Sequence, residues 1–131
     1  MALPVNAAHW HLVLNHVPIF LVAIGLGLLV AGLWRASMEL KVTALVLFFM
    51  AGAVVVPVAW SGDEAEHMME DFGGISDTYM ERHEEAGEQT RNIIVGLGVL
   101  ALAGLGYWGW KKQLPNWYFG LVALASLISL Y

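Results

Sequence analysis

Four long stretches of apolar residues divide this chain, and polar connections separate them. The stretches without formal charge are Val17–Trp34, Val42–Gly62, Asn92–Trp110 and Gln113–Tyr131, each about 18 to 21 residues long. An α-helix needs roughly 20 apolar residues to cross a hydrocarbon core about 30 Å thick. The pattern therefore predicts an all-α integral membrane four-helix bundle. It forms one domain over residues 1–131, with spans at about 10–34, 41–61, 77–111 and 114–131.

The composition agrees with a membrane protein and excludes several other classes. Hydrophobic residues make up 59% of the 131 positions and charged residues only 13%, against about 25% charged in a soluble domain. The net charge of −5 argues against nucleic acid or another polyanion as a partner. The absence of cysteine excludes thiolate metal sites, iron–sulfur clusters and covalently attached haem. Whether the chain is an enzyme is left open.

The basic residues predict how the chain crosses the membrane. Arg35 and Lys41 lie in the first connection, and Lys111 and Lys112 lie in the third. Cytoplasmic loops carry an excess of lysine and arginine. Both termini and the long 62–91 connection are therefore expected on the outer side.

The long middle connection has a strongly acidic character. Asp63–Arg91 holds ten acidic residues and two arginines, a net charge of −8. Within it, Ala65, Met68, Met69 and Phe72 fall at i, i+3, i+4 and i+7, which predicts a short amphipathic helix on the membrane surface. The helical pattern then runs unbroken from Asp77, so the third helix is expected to extend beyond the hydrocarbon.

All five histidines are expected on this outer side. On one continuous helix His9 and His16 fall on the same line as Ala23 and Gly27, a stripe of small residues expected to face the bundle. His9 and His11 cannot both meet one partner from a regular helix. Either the helix is irregular before Pro18, or only one of this pair is inward.

Inward imidazoles near carboxylates indicate a transition-metal site, because imidazole binds zinc, copper and iron and carboxylates add affinity for zinc and iron. Polar groups buried at a membrane boundary are costly and usually mark function. The simpler alternative is that the histidines form interfacial hydrogen bonds that cap the bundle. The candidate ligands for iron, copper or zinc are His9, His11, His16, His83, Glu66, Glu84 and Glu88.

A second hypothesis is a b-type haem protein that transfers electrons. Non-covalent haem needs one pair of axial ligands, which His9 or His16 on the first helix and His83 on the third would supply. Arg82 and Arg91 are the only cations of the acidic connection that would pair with the haem propionates, and this electrostatic argument places haem b after a direct metal site.

Two further hypotheses do not depend on the histidine cluster. A structural accessory subunit of a larger membrane complex, or a homodimer, fits the small size and the glycine content. A hydrolase is the least favoured, because no outer-side hydroxyl has a base at hydrogen-bond spacing in the sequence.

The histidine motif also resembles a known family. The segment from His9 to Ile19, His-Trp-His-Leu-Val-Leu-Asn-His-Val-Pro-Ile, is similar to the opening of small bacterial four-helix membrane proteins classed as a domain of unknown function. The segments Gly62–Glu66 and His83-Glu84-Glu85-Ala86 are also similar to motifs of that family. The resemblance covers about residues 1–110 and implies a bacterial inner-membrane location, but no activity.

Overall fold

The computed structural model describes the backbone of residues 7–70 and 77–131, and the side chains there except those of residues 7–9, 63–70, 77 and 80. This part of the chain contains helices and no strands, and the predicted all-α class is confirmed. The helices are α1 (Ala7–Leu14), α2 (Val17–Trp34), α3 (Met38–Glu70), α4 (Asp77–Lys111) and α5 (Asn116–Leu130).

The first predicted span consists of two helices. Asn15 and His16 form a turn between α1 and α2, and Pro18 lies in the first turn of α2. Proline has no N–H, so Pro18 cannot donate the helical hydrogen bond to the carbonyl of Leu14. Because of this junction, an angular position counted from α1 does not carry over to α2.

Four of the helices close into a ring around one apolar core. Helix α3 packs against α2 and α4, and α5 packs against the other sides of the same two helices. Helix α1 packs mainly on α3. The core residues come from all four helices of the ring: Val22, Leu29, Ala44, Leu45, Phe48, Ala51, Val55, Ile94, Leu97, Ala101, Tyr118, Phe119 and Val122.

Glycines set the closest approaches between these helices. A Cβ atom added to Gly98 would lie 2.9 Å from the Cα of Gly52, so α3 and α4 touch backbone to backbone. A Cβ on Gly25 would lie 2.7 Å from the ring of Phe48. Membrane helices associate largely through such packing, because lipid provides no hydrophobic driving force between them. The Gly52–Gly98 contact also fixes the register of the antiparallel pair α3 and α4.

The packing face predicted for the first span is wrong. Ala23 and Gly27 are exposed, and a Cβ on Gly27 would meet none of the described atoms within 4 Å. Gly25, Leu29 and Gly32 are buried instead. The prediction failed because small residues occur on two faces of α2, and the face with Gly25 and Gly32 is the one that packs.

Within residues 7–70 and 77–131, three segments are long and apolar enough to cross a membrane: Trp10–Trp34, Met38–Gly62 and Glu81–Lys111. Helix α5 is apolar but has only 15 residues, a length of about 22 Å at 1.5 Å per residue. Large apolar side chains cover the outside of the bundle, among them Leu12 at 72% and Phe20 at 63% exposure. Such a surface indicates a lipid environment.

Helices α3 and α4 both continue past the apolar segments. The amphipathic segment expected after residue 62 is not a separate helix over the described residues, because α3 runs without interruption to Glu70. The predicted extension of the third span is confirmed, since α4 has 35 residues. The two extensions leave the bundle from the same end of the antiparallel pair α3 and α4.

Candidate metal centre

The ring of His11 lies on helix α3 at the start of the acidic extension. Its Nδ1 atom is 3.2 Å from the carbonyl oxygen of Val58. A Cβ atom on Gly62 would lie 3.0 Å from the Cε1 atom of His11, so the ring is packed against the glycine backbone. The side chain is half-buried. The His11 ring is therefore directed inward, onto α3, and the helix is interrupted before Pro18.

This contact fixes which nitrogen of His11 carries the proton. A carbonyl oxygen only accepts hydrogen bonds, so the contact with Val58 requires a hydrogen on Nδ1. In a neutral imidazole the other nitrogen, Nε2, then holds a free lone pair. Metal-binding histidines commonly have this arrangement, in which a backbone carbonyl holds one ring nitrogen and the other faces the metal.

Ser61 is a neighbour of His11 that the sequence alone did not reveal. Its Oγ atom is 3.4 Å from Nδ1 of His11 and donates a 2.8 Å hydrogen bond to the carbonyl of Val58. The serine is 2% exposed. Because Nδ1 carries a proton, it cannot accept one from Ser61, and the two residues do not form a nucleophile–base pair. Ser61 instead helps to hold the imidazole in place.

His16 has a different environment. It lies in the turn between α1 and α2, is exposed, and donates a hydrogen bond from Nδ1 to the side-chain oxygen of Asn15. Its ring centroid is 6.5 Å from that of Phe20. The expectation that His16 is directed into the bundle is therefore wrong for the described structure. The physical reason is the break before Pro18, which turns this residue away from the line of the helix.

The candidates on α4 are all exposed in the part of this helix that extends beyond the bundle: His83, Glu84 and Glu88. Glu88 lies 3.6 Å from the guanidinium of Arg91, one turn further along the helix. The side chains of His9 and Glu66 lie outside the described residues. Among the described side chains, no group of three or more histidine and acidic residues is arranged to hold a metal ion.

No protein-family model, curated protein or solved structure matches this chain. The resemblance of the histidine motif to the bacterial membrane family therefore stays a prediction, and the function has to be argued from the residues themselves.

Proposed function

We propose that this membrane protein binds one transition-metal ion, iron, copper or zinc, at the outer end of its bundle through His11, Glu66 and His83. The observation that carries the proposal is the fixed tautomer of His11. The carbonyl of Val58 and the hydroxyl of Ser61 hold its Nδ1 side, and the lone pair of Nε2 remains for a metal.

Helical periodicity supports the choice of Glu66 and His83. Position 66 follows the buried Phe48 by 18 residues on α3, and position 83 precedes the buried Ala101 by 18 residues on α4. Eighteen residues make five turns of about 3.6 residues. Both positions therefore continue the core-facing lines of their helices into the extension above the bundle.

The register of the two helices brings these positions to one level. Position 66 lies 14 residues beyond Gly52 and position 83 lies 15 residues before Gly98, rises of about 21 and 22 Å. Gly62, against which the ring of His11 packs, is one turn closer to the bundle than position 66. The three positions would thus lie within about one helical turn of one level at the outer end of the bundle.

Two imidazoles and one carboxylate are a suitable ligand set for these metals. With three protein ligands, a zinc ion retains a fourth position for water or another small molecule. Such a centre serves metal handling, sensing or, with iron or copper, redox chemistry. Glu84 and Glu88 follow a different line of α4, eleven and seven residues before Val95, which lines a groove between α3 and α4, and they are left out of the proposed set.

The test is multi-element analysis of detergent-purified protein without a His-tag and before any chelator. We expect about one metal ion per chain in the natural protein and in the control variant His16→Gln. His11→Gln and His83→Gln are expected to lose the metal, although glutamine at residue 11 retains a donor for the Val58 carbonyl. Retention of the full metal content in both variants would show that the ligand assignment is wrong.

The same experiment separates the alternatives. Bound iron with the strong visible absorption of a porphyrin would favour the haem b hypothesis. Protein without metal after expression at native levels would instead favour an accessory subunit of a membrane complex. Either result would reject a direct His/carboxylate centre.

A further inference from the structure

A groove of about 450 Å³ runs between α3 and α4 on the outside of the bundle. It opens to the outside of the bundle, where Val56 and Trp60 are exposed, and its described lining residues are separate from those of the proposed metal centre. Residues 56–60 of α3 and residues 91–95 of α4 form its walls. The lining residues are Val56, Ala59, Trp60, Arg91, Asn92 and Val95.

The groove is polar at one end and apolar at the other. Arg91 and Asn92 lie where α4 changes from its charged extension to an uncharged apolar segment. Val56 and Val95 line the part nearer the middle of the bundle. Trp60 is 63% exposed at the level of Arg91, and tryptophan in membrane proteins concentrates at the level of the lipid headgroups. A molecule in this groove therefore has a polar head at Arg91 and an apolar tail.

The charges at the polar end select among headgroups. Arg91 supplies a cation for a phosphate, while Glu88, 3.6 Å away, supplies an acceptor for an ammonium group. Glu84 and Glu85 lie on the same exposed extension of α4, about one turn before Glu88. A headgroup with a net negative charge would meet repulsion from these carboxylates. A zwitterionic headgroup matches both signs.

We propose that the α3–α4 groove binds one phospholipid with a primary ammonium headgroup, of the phosphatidylethanolamine type. Its phosphate contacts Arg91 and Asn92, its ammonium group contacts Glu88, and one acyl chain follows the apolar part of the groove. A primary ammonium donates three hydrogen bonds, whereas the quaternary ammonium of phosphatidylcholine donates none. The site therefore binds phosphatidylethanolamine in preference to phosphatidylcholine and to anionic lipids.

The experiment is native mass spectrometry of the delipidated full chain, with phosphatidylethanolamine, phosphatidylcholine and phosphatidylglycerol of identical acyl chains at equal concentration. We expect one retained phosphatidylethanolamine and about a fivefold preference over the other two lipids. Phosphatidylglycerol lacks the ion pair with Glu88 and phosphatidylcholine lacks the hydrogen bond, and each contributes about 1 kcal/mol. Arg91→Gln is expected to abolish the retained lipid. Glu88→Gln is expected to keep binding but to remove the preference over phosphatidylcholine.

Arg82→Gln is the matched control, because Arg82 lies on the same helix, is exposed, and does not line the groove. It is expected to bind like the natural chain. Ala59→Phe, which fills the groove without changing charge, is expected to lose the lipid. Equal binding of all three lipids, or the same behaviour of Arg91→Gln and Arg82→Gln, would overturn the proposal. Preferential retention of phosphatidylglycerol would identify a site for anionic lipid and would also refute it.

Discussion

Substitution of Gly98 by alanine tests the packing that holds α3 and α4 in register. The added Cβ atom would lie 2.9 Å from the Cα of Gly52 and 3.5 Å from both the nitrogen of Gly52 and the carbonyl oxygen of Phe48. All three are backbone atoms. No side-chain rotation relieves these contacts, so the two helices have to separate.

The size of the separation follows from these distances. Ordinary contacts between carbon atoms occur at about 3.5 to 4.0 Å, so the helices have to move apart by roughly 0.6 to 1.1 Å at this point. Such overpacking typically costs about 1 to 3 kcal/mol. Ile94 and Leu97 lie within one turn of Gly98 and are buried in the core. The separation would loosen their contacts as well. We therefore expect the free energy of unfolding to fall by an amount near the middle of this range.

The free energy of unfolding is measured by reversible denaturation in detergent micelles, followed by circular dichroism. Gly96→Ala is the matched control, because it is two residues away on the same helix and its Cβ would meet none of the described atoms within 4 Å. Gly96→Ala is expected to be neutral or slightly stabilising, since alanine favours helix over glycine. Equal stability of the Gly98→Ala and Gly96→Ala variants would refute the close backbone contact.

Two further substitutions test the core. Gly25→Ala is expected to destabilise the bundle by about 1 to 3 kcal/mol, because its Cβ would lie 2.7 Å from the ring of Phe48. Gly27→Ala, on the exposed side of the same helix, is the control and should leave the denaturation midpoint unchanged. Tyr118→Phe removes the 2.7 Å hydrogen bond from the tyrosine hydroxyl to the carbonyl of Leu100; we expect a loss of about 0.5 to 1.5 kcal/mol in the same assay, and an unaltered midpoint would contradict the bond.

The helices themselves were largely predictable from the sequence. Uncharged stretches of membrane-spanning length, together with the absence of proline from Asp77 to Trp110, are sufficient to predict the bundle and the extension of α4. The packing face of α2 was not predictable in the same way. It depends on which side chain of α3 meets each glycine, as with Phe48 and Gly25.

The candidate site was predictable only in part. The position of His11 depends on contacts with Val58 and Ser61, which are 47 and 50 residues away in the sequence. Such tertiary contacts leave no local pattern. The ion pair between Glu88 and Arg91 was predictable from the sequence, because residues three apart on a helix are neighbours. The hypothesis that histidines and carboxylates gather at the outer end came from the predicted topology and helical spacing, and it stays a prediction.

The most direct test of the proposed metal centre is X-ray absorption spectroscopy at the edge of the metal that co-purifies with the untagged chain. Our account predicts nitrogen and oxygen ligands only, with the scattering pattern of two imidazoles and, for zinc, metal–nitrogen distances of about 2.0 to 2.1 Å. His11→Gln is expected to purify with little or no metal, and any metal that this variant still holds should show one imidazole fewer. A spectrum without imidazole scattering, or one that His11→Gln leaves unchanged, would contradict the account.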